Sequence, residues 1–176
     1  ILLAPYGVAV RQIGAVLDGG RPVSSTRIRA ALEAGRLEEA NRLLGRPFAI
    51  DWTVEHGRKL GHKLGFPTAN QHIGEEFARP RFGVYATRVL IDGVPYAAAT
   101  NVGIKPTVGS DCVSAESYIL DWSGDLYGRR IETQFLKFLR PEEKFETLEE
   151  LRHAIGVDAE RAREAVAAAC AAGGCT

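Results

Sequence analysis

Between Ala49 and Pro141 the sequence is cut into short β-branched stretches by glycine, proline and aspartate, with no helical period between them. Ile50–Glu55 alternates apolar and polar residues. Val84–Ile91 and Val94–Gly103 flank Asp92-Gly93, a dipeptide suited to the positive φ angles of a tight hairpin. Val113–Leu120 is turned by Ser123-Gly124-Asp125, and Ile131–Leu139 is stopped by Pro141. Five or six such strands predict an antiparallel barrel or sandwich. A strand has period two, so each one divides its side chains between a core and an outer face.

The flanks have a different texture. Val8–Leu17 predicts a strand broken by Asp18-Gly19-Gly20. Ser24 and Ser25 offer N-cap hydroxyls to a helix running through Ala34, which Gly35 stops. Leu37–Leu44 predicts a second short helix before Gly45 and Pro47, with a domain boundary around Gly45–Phe48. At the other end Thr147 and Glu150 form a capping-box pair. Gly156 is expected to interrupt that helix and Asp158 to cap another through Ala169, with Ala162, Ala165, Val166 and Ala169 facing the barrel.

Composition narrows the function. Lys plus Arg and Asp plus Glu number 22 each, a net charge of zero, which argues against bulk nucleic-acid or acidic-membrane binding. No apolar run approaches the roughly 20 residues of a membrane span. Ile1–Val10 has no basic segment ahead of its apolar stretch and carries Pro5 and Gly7, unlike a signal peptide. The chain has no Met, which predicts a start inside a longer protein. Cys112, Cys170 and Cys175 make neither a disulfide framework nor a zinc pattern and are expected as free thiols in a reducing cytoplasm.

Three places carry candidate chemistry. Pro67 favours an extended Phe66, and in an extended segment Thr68 and Asn70 share a face. A hydroxyl and a carboxamide oxygen side by side suit Mg²⁺ completed by water and phosphate, although Thr and Asn after Pro also suit an ordinary turn. The loop His56–Gly65 has glycines at 57, 61 and 65, with Arg58, Lys59, His62 and Lys63 between them. It suits a phosphate cradle, or a solvated connection between strands. Glu116 interrupts a strand of small and apolar residues, as a general base or as a solvent-facing carboxylate.

Several runs in register resemble the riboflavin kinase family. They are Gly61–Asn70 ending in Gly65-Phe66-Pro67-Thr68-Ala69-Asn70, then Gly83-Val84-Tyr85-Ala86, Asn101–Val108, Glu116 ahead of Ile119-Leu120-Asp121-Trp122, Asp125-Leu126-Tyr127-Gly128, and Phe138–Phe145. The likeness covers about residues 47 to 160. It implies a mainly β fold, a six-stranded antiparallel Greek-key-type barrel with a C-terminal helix. It also implies transfer of the γ-phosphate of ATP to the ribityl 5′-hydroxyl of riboflavin, giving FMN. Mg²⁺ would sit at Thr68 and Asn70, and Glu116 would be the base. ATP would meet Gly57, Arg58, Lys59, Gly61, His62, Lys63, Gly65, Pro67, Thr68 and Asn70. The flavin would meet Glu116, Tyr127, Arg140 and Phe145.

Upstream, Ser24-Ser25-Thr26-Arg27 resembles a nucleotide-binding motif of the FMN adenylyltransferase domain that precedes this kinase in bacterial bifunctional enzymes. The same residues also read as a Ser-capped helix with surface arginines. Residues 1–46 are then a short α/β remnant of that nucleotidyltransferase domain with linker helices, 47–170 the kinase and 171–176 a flexible tail. The adenylyltransferase also needs an upstream two-histidine motif. The four histidines here, His56, His62, His72 and His153, all lie in the kinase part, so FAD synthesis is not expected of this chain alone. The expected partners are small molecules and the N-terminal domain of a longer protein, with neither nucleic acid nor membrane. A non-catalytic flavin-binding module and, less favoured, an oligonucleotide-binding barrel are the competing readings.

Overall fold

The computed structural model describes residues 7, 11, 13–56, 66–107 and 110–171. Six strands close into an antiparallel barrel: β3 (Phe48–Glu55), β4 (Thr68–Ile73), β5 (Gly83–Ile91), β6 (Val94–Thr107), β7 (Ser110–Ile119) and β8 (Arg130–Arg140), in spatial order β3-β4-β7-β6-β5-β8 with β8 returning to β3. The expected hairpin at Asp92-Gly93 forms, with φ of 53° and 79°.

The inner face is apolar at both ends and polar at its waist. Ile50, Ile73, Tyr85, Val102 and Phe135 fill one end, and Val54, Val89, Ala98, Ile119 and Ile131 the other. Between them Thr100 Oγ1 lies 2.6 Å from Thr87 Oγ1 and 2.8 Å from Ser117 Oγ. Gln71 donates to the carbonyls of Trp52 (3.0 Å) and Ile131 (2.8 Å) and accepts from Thr133 (2.7 Å). Each of these lumen side chains therefore has a partner, which a closed barrel requires of anything polar in its lumen.

The N-terminal helices belong to this core. β1 (Leu17–Asp18) and β2 (Arg21–Pro22) make a small hairpin, followed by α1 (Ser25–Glu33) and α2 (Leu37–Leu44). Ser24 caps α1 by accepting from the Arg27 amide at 3.3 Å, and Gly45 closes α2 in the left-handed region. Ala31, Leu32, Leu37 and Ala40 are buried in the same cluster as Ile50 and Phe135. Asn41 joins α2 to two strands, donating to the Phe135 carbonyl and accepting from the Phe48 amide, both at 2.8 Å. The helical pair thus plugs one end of the barrel.

Three expectations need correction. Val8–Leu17 was expected as a strand, but residues 13–16 are irregular and only Leu17–Asp18 pairs. Leu17 pairs only in the two-residue β1–β2 hairpin, and Ile13, Val16 and Leu17 stay 60–85% exposed. Positions 8–10 and 12 lie outside the described residues. The C-terminal region is one continuous helix, α3 (Leu148–Ala171), which Gly156 does not interrupt. One helical glycine costs about 1 kcal/mol, while Asp158, Ala159, Ala162 and Val166 all bury against the barrel. Asp158 therefore caps nothing and serves as a mid-helix anchor. Finally, Cys112 is a free thiol but Cys170 is disulfide-bonded, a pairing that the lack of any C-x-x-C spacing concealed. The Thr147–Glu150 capping box forms in both directions, at 3.2 and 3.3 Å. Of the tail at 171–176, only Ala171 lies within the described residues.

Candidate active site

Strand register assembles the site on the outer face of the barrel. Asn70 of β4 stands opposite Glu116 of β7, which stands opposite Asn101 of β6. Residues directly opposite in antiparallel pairs hold their Cβ atoms about 4.5–5.5 Å apart. Three polar side chains, distant in sequence, therefore form one row across three strands. Thr68, two residues before Asn70, lies on the same face opposite Tyr118. The Asn70 amide group donates to the Thr68 carbonyl at 3.2 Å, which fixes the carboxamide with its oxygen outward.

Lys105, which sequence reasoning passed over, completes the row. Its ammonium forms an ion pair with Glu116 Oε1 and donates to Asn70 Oδ1. Along β6 only Gly103 separates Lys105 from Asn101 on this face. Along β7 only Ser114 separates Glu116 from Cys112, the residue opposite Lys105. These two small residues leave a lane in which the lysine stem can lie along the sheet. That lane follows from the β6–β7 register, and only with that register in hand could the sequence have shown the pair. The Glu142 carboxylate lies over Gly103 and accepts from the Asn101 amide group at 3.2 Å.

Two cavities adjoin this row, and Thr68 lines both. The first, of about 490 Å³, lies between the outer face of the barrel and α3. Phe66, Val84, Tyr118, Phe145, Leu151 and Ile155 give it apolar walls, with Glu116, Asn101 and Arg140 as polar points. The second, of about 440 Å³, is lined by Pro67, Thr68, Trp122, Leu126 and Tyr127. Glu116, Arg140 and Phe145, three of the four expected flavin contacts, therefore line one cavity together. The fourth, Tyr127, lines the other, where it stacks on His56 with ring centroids 3.8 Å apart. The expected phosphate-cradle residues Gly57, Arg58, Lys59, Gly61, His62, Lys63 and Gly65 lie outside the described residues.

Arg140 is fixed by its neighbours. Its guanidinium meets the buried Asp158 carboxylate at 2.8 and 3.0 Å, approaches Glu143 at 3.6 Å and lies 5.5 Å from the Phe145 ring centroid. A fork of donors on a carboxylate is a geometry that lysine does not reproduce. Two β-bulges in the β5–β8 pairing, at Val84/Tyr85 and Ala86/Thr87, shift register just before Arg140 and help to aim it at α3. Gly83, at φ 146°, admits that path, because a Cβ there would lie 2.4 Å from the Arg140 carbonyl.

The upstream motif is closed on itself. Arg27, expected at ATP phosphates, instead binds Asp18 at 2.6 Å and reaches Glu39 at 3.5 Å, while Arg42 holds the other Asp18 oxygen at 2.9 Å. Hydrogen bonds from Arg42 and then Arg27 hold the Asp18 carboxyl down at about 2. Ser24 and Ser25 serve as cap and first helical residue, and Thr26 follows within α1.

Among the described residues no three His, Cys, Asp or Glu side chains group to hold a metal by themselves. Thr68 and Asn70 nevertheless fit a hard cation. They are neutral oxygen donors beside a carboxylate, and the Asn70 oxygen already accepts from a cationic group. Their remaining partners would have to be water and phosphate oxygens. No described helix is long and apolar enough to cross a membrane.

Comparison with known proteins points one way. The riboflavin kinase family profile matches residues 44–166. The chain is 46% identical over 148 residues to a bifunctional riboflavin kinase/FMN adenylyltransferase of Pseudomonas fluorescens, covering 84% of this chain and 47% of that protein. It is 42% identical over 130 residues to the protein of the same name from Listeria monocytogenes, covering 73% and 41%. The chain thus spans about half the length of the curated relatives it matches. A crystal structure named macrolide-efflux protein, from Streptococcus pneumoniae, superposes with a TM-score of 0.78 at 33% identity, covering 86% of this chain and 50% of that one.

Proposed function

This chain belongs to the riboflavin kinase family, and on that premise we propose that its barrel transfers the γ-phosphate of ATP to the ribityl 5′-hydroxyl of riboflavin, releasing FMN and ADP. The observation that carries the reading is that two cavities meet at Thr68, with Glu116 lining one of them. A two-substrate transfer needs such a junction. The ring system occupies the apolar cavity under α3, walled by Phe145 and by Arg140 in its Asp158 clamp. The nucleotide occupies the cavity of Pro67, Trp122 and Tyr127, which moves Tyr127 from the flavin to the nucleotide side. The sequence of 57–65, with its glycines and four basic residues, is of a kind that suits phosphate binding.

Phosphoryl transfer asks the protein for alignment and charge neutralisation more than for covalent chemistry. Thr68 and Asn70 are the residues to hold Mg²⁺, which when bound neutralises phosphate charge. Glu116 accepts the proton of the 5′-hydroxyl, whose oxygen then bonds to the γ-phosphorus as the bond to the β–γ bridging oxygen breaks. Closing the cavities over the substrates excludes water, which would otherwise take the phosphoryl group.

The Thr68, Asn70 and Glu116 set favours an enzyme over a non-catalytic flavin module. Glu142, Glu143 and Glu146 around the first cavity would repel an oligonucleotide backbone. On the same reading residues 47–170 carry the kinase, α1 and α2 supply the end plug, and the site of action is the cytoplasm. FMN adenylylation is not proposed for this chain, which spans about half the length of those relatives. Glu116→Gln keeps the shape and removes the carboxylate. It should cut turnover about 10²–10⁴-fold with riboflavin binding, read by quenching of flavin fluorescence, retained. Unchanged turnover would remove Glu116 from the mechanism.

A further inference from the structure

The contact of one ammonium with both Glu116 and Asn70 has a consequence for how the site loads. The Asn70 oxygen that fits a metal is the atom that Lys105 occupies. An ammonium hydrogen-bonded to an oxygen and a divalent cation bound to that same oxygen would stand a few ångströms apart. At that separation their repulsion in a partly buried site is large. Lys105 and Glu116 are both half-buried, with side chains 23% and 30% exposed, so solvent does not erase the effect.

We propose that Lys105 is a positioning residue and the resident cation of this site: it ties the Glu116 carboxylate to the Asn70 carboxamide before substrates arrive, and it cedes Asn70 to the metal–nucleotide complex while keeping Glu116. The residues favour that order of release. Asn70 is neutral and offers lysine one ordinary hydrogen bond, whereas Glu116 offers an ion pair. The ammonium has three donors, so loss of one partner leaves the other in place. Glu116 is thereby held in one rotamer through loading, and Lys105 acts on the reaction only through it.

This inference rests on the kinase reading, and its test separates the two. ADP binding to the full chain is measured by calorimetry with Mn²⁺ and with EDTA, and the ratio of the two affinities is the metal enhancement. Taking the ratio cancels any direct attraction between Lys105 and phosphate. In Lys105→Met the enhancement should rise by at least about threefold, the order of removing one partly exposed like-charge neighbour. Turnover should fall about 10–10²-fold because Glu116 has lost its tie. Lys105→Arg keeps the charge and should return the enhancement to that of the unaltered chain with most of the turnover. Melting temperatures of all three show that the variants are folded. An enhancement in Lys105→Met that is unchanged or smaller, or an ADP affinity that falls equally with and without metal, overturns the exchange. Failure of the unaltered chain to make FMN would instead overturn the kinase reading on which it stands.

Discussion

Leu37→Ala tests whether the N-terminal helices are part of the kinase barrel or an appendage. Leu37 is 1% exposed and sits in one cluster with Ile50, Tyr85 and Phe135 of the barrel wall. Truncating a buried leucine costs about 2–5 kcal/mol, set by how far the site collapses around the void. Here collapse is limited, since α2 is pinned to two strands through Asn41. A mid-range loss of about 3 kcal/mol lowers the melting temperature of a domain this size by roughly 6–12 °C. Trp52 packs on the cluster shared with the helices, whereas Trp122 packs on the other barrel cluster, so Trp122 fluorescence, read in a Trp52→Phe background, reports barrel unfolding. The expected result is a single transition, displaced by that amount and coincident with the loss of helical circular dichroism. A tryptophan transition that stays within about 2 °C of the unaltered chain, with an earlier separate loss of helix, would refute the packing argument.

Two further outcomes follow from ion pairs. Asp158→Ala leaves the Arg140 guanidinium largely buried without its main partner and should cost about 3–5 kcal/mol, while Arg140→Met combined with Asp158→Leu should cost less than the sum of the single changes; additive losses would show that the pair is not coupled. Asp18, with its carboxyl held at about 2 against roughly 3.9 when unfolded, stabilises the β1–β2 hairpin against α2 at all pH values above about 4 and loses that contribution as pH falls through about 2. The melting-temperature gap between the chain and Asp18→Asn should therefore be constant above about pH 4 and close below it, and a gap that widens on acidification contradicts the assignment.

The barrel was readable because local and global preferences agree along it. Period-two strands, the Asp92-Gly93 turn and Pro141 each say the same thing, and the capping box at Thr147 announces α3. The failures come where tertiary context overrides a local rule. Residues 13–16 of the β-branched Val8–Leu17 stretch lie outside any strand, and Gly156 is carried through α3 by the residues buried after it. The site was legible as types of residue and not as an arrangement. Thr68, Asn70 and Glu116 stand out from their strands, but Lys105 reaches Asn70 and Glu116 only because β6 and β7 pair with Gly103 and Ser114 in between. The ion pairs of Arg27 with Asp18 and Glu39 were not legible in the sequence, because these partners approach it only in the folded hairpin and helices. Tyr127 lines a different cavity from Glu116, Arg140 and Phe145, and sequence order does not say which of two adjoining cavities a turn will line.

The most direct test of the central claim is chromatographic detection of FMN after incubating the purified chain with riboflavin, ATP and Mg²⁺, with a parallel sample in excess EDTA. The account predicts FMN and ADP in equal amounts with Mg²⁺ and none with EDTA. A folded chain that binds riboflavin yet forms no FMN under either condition would contradict it.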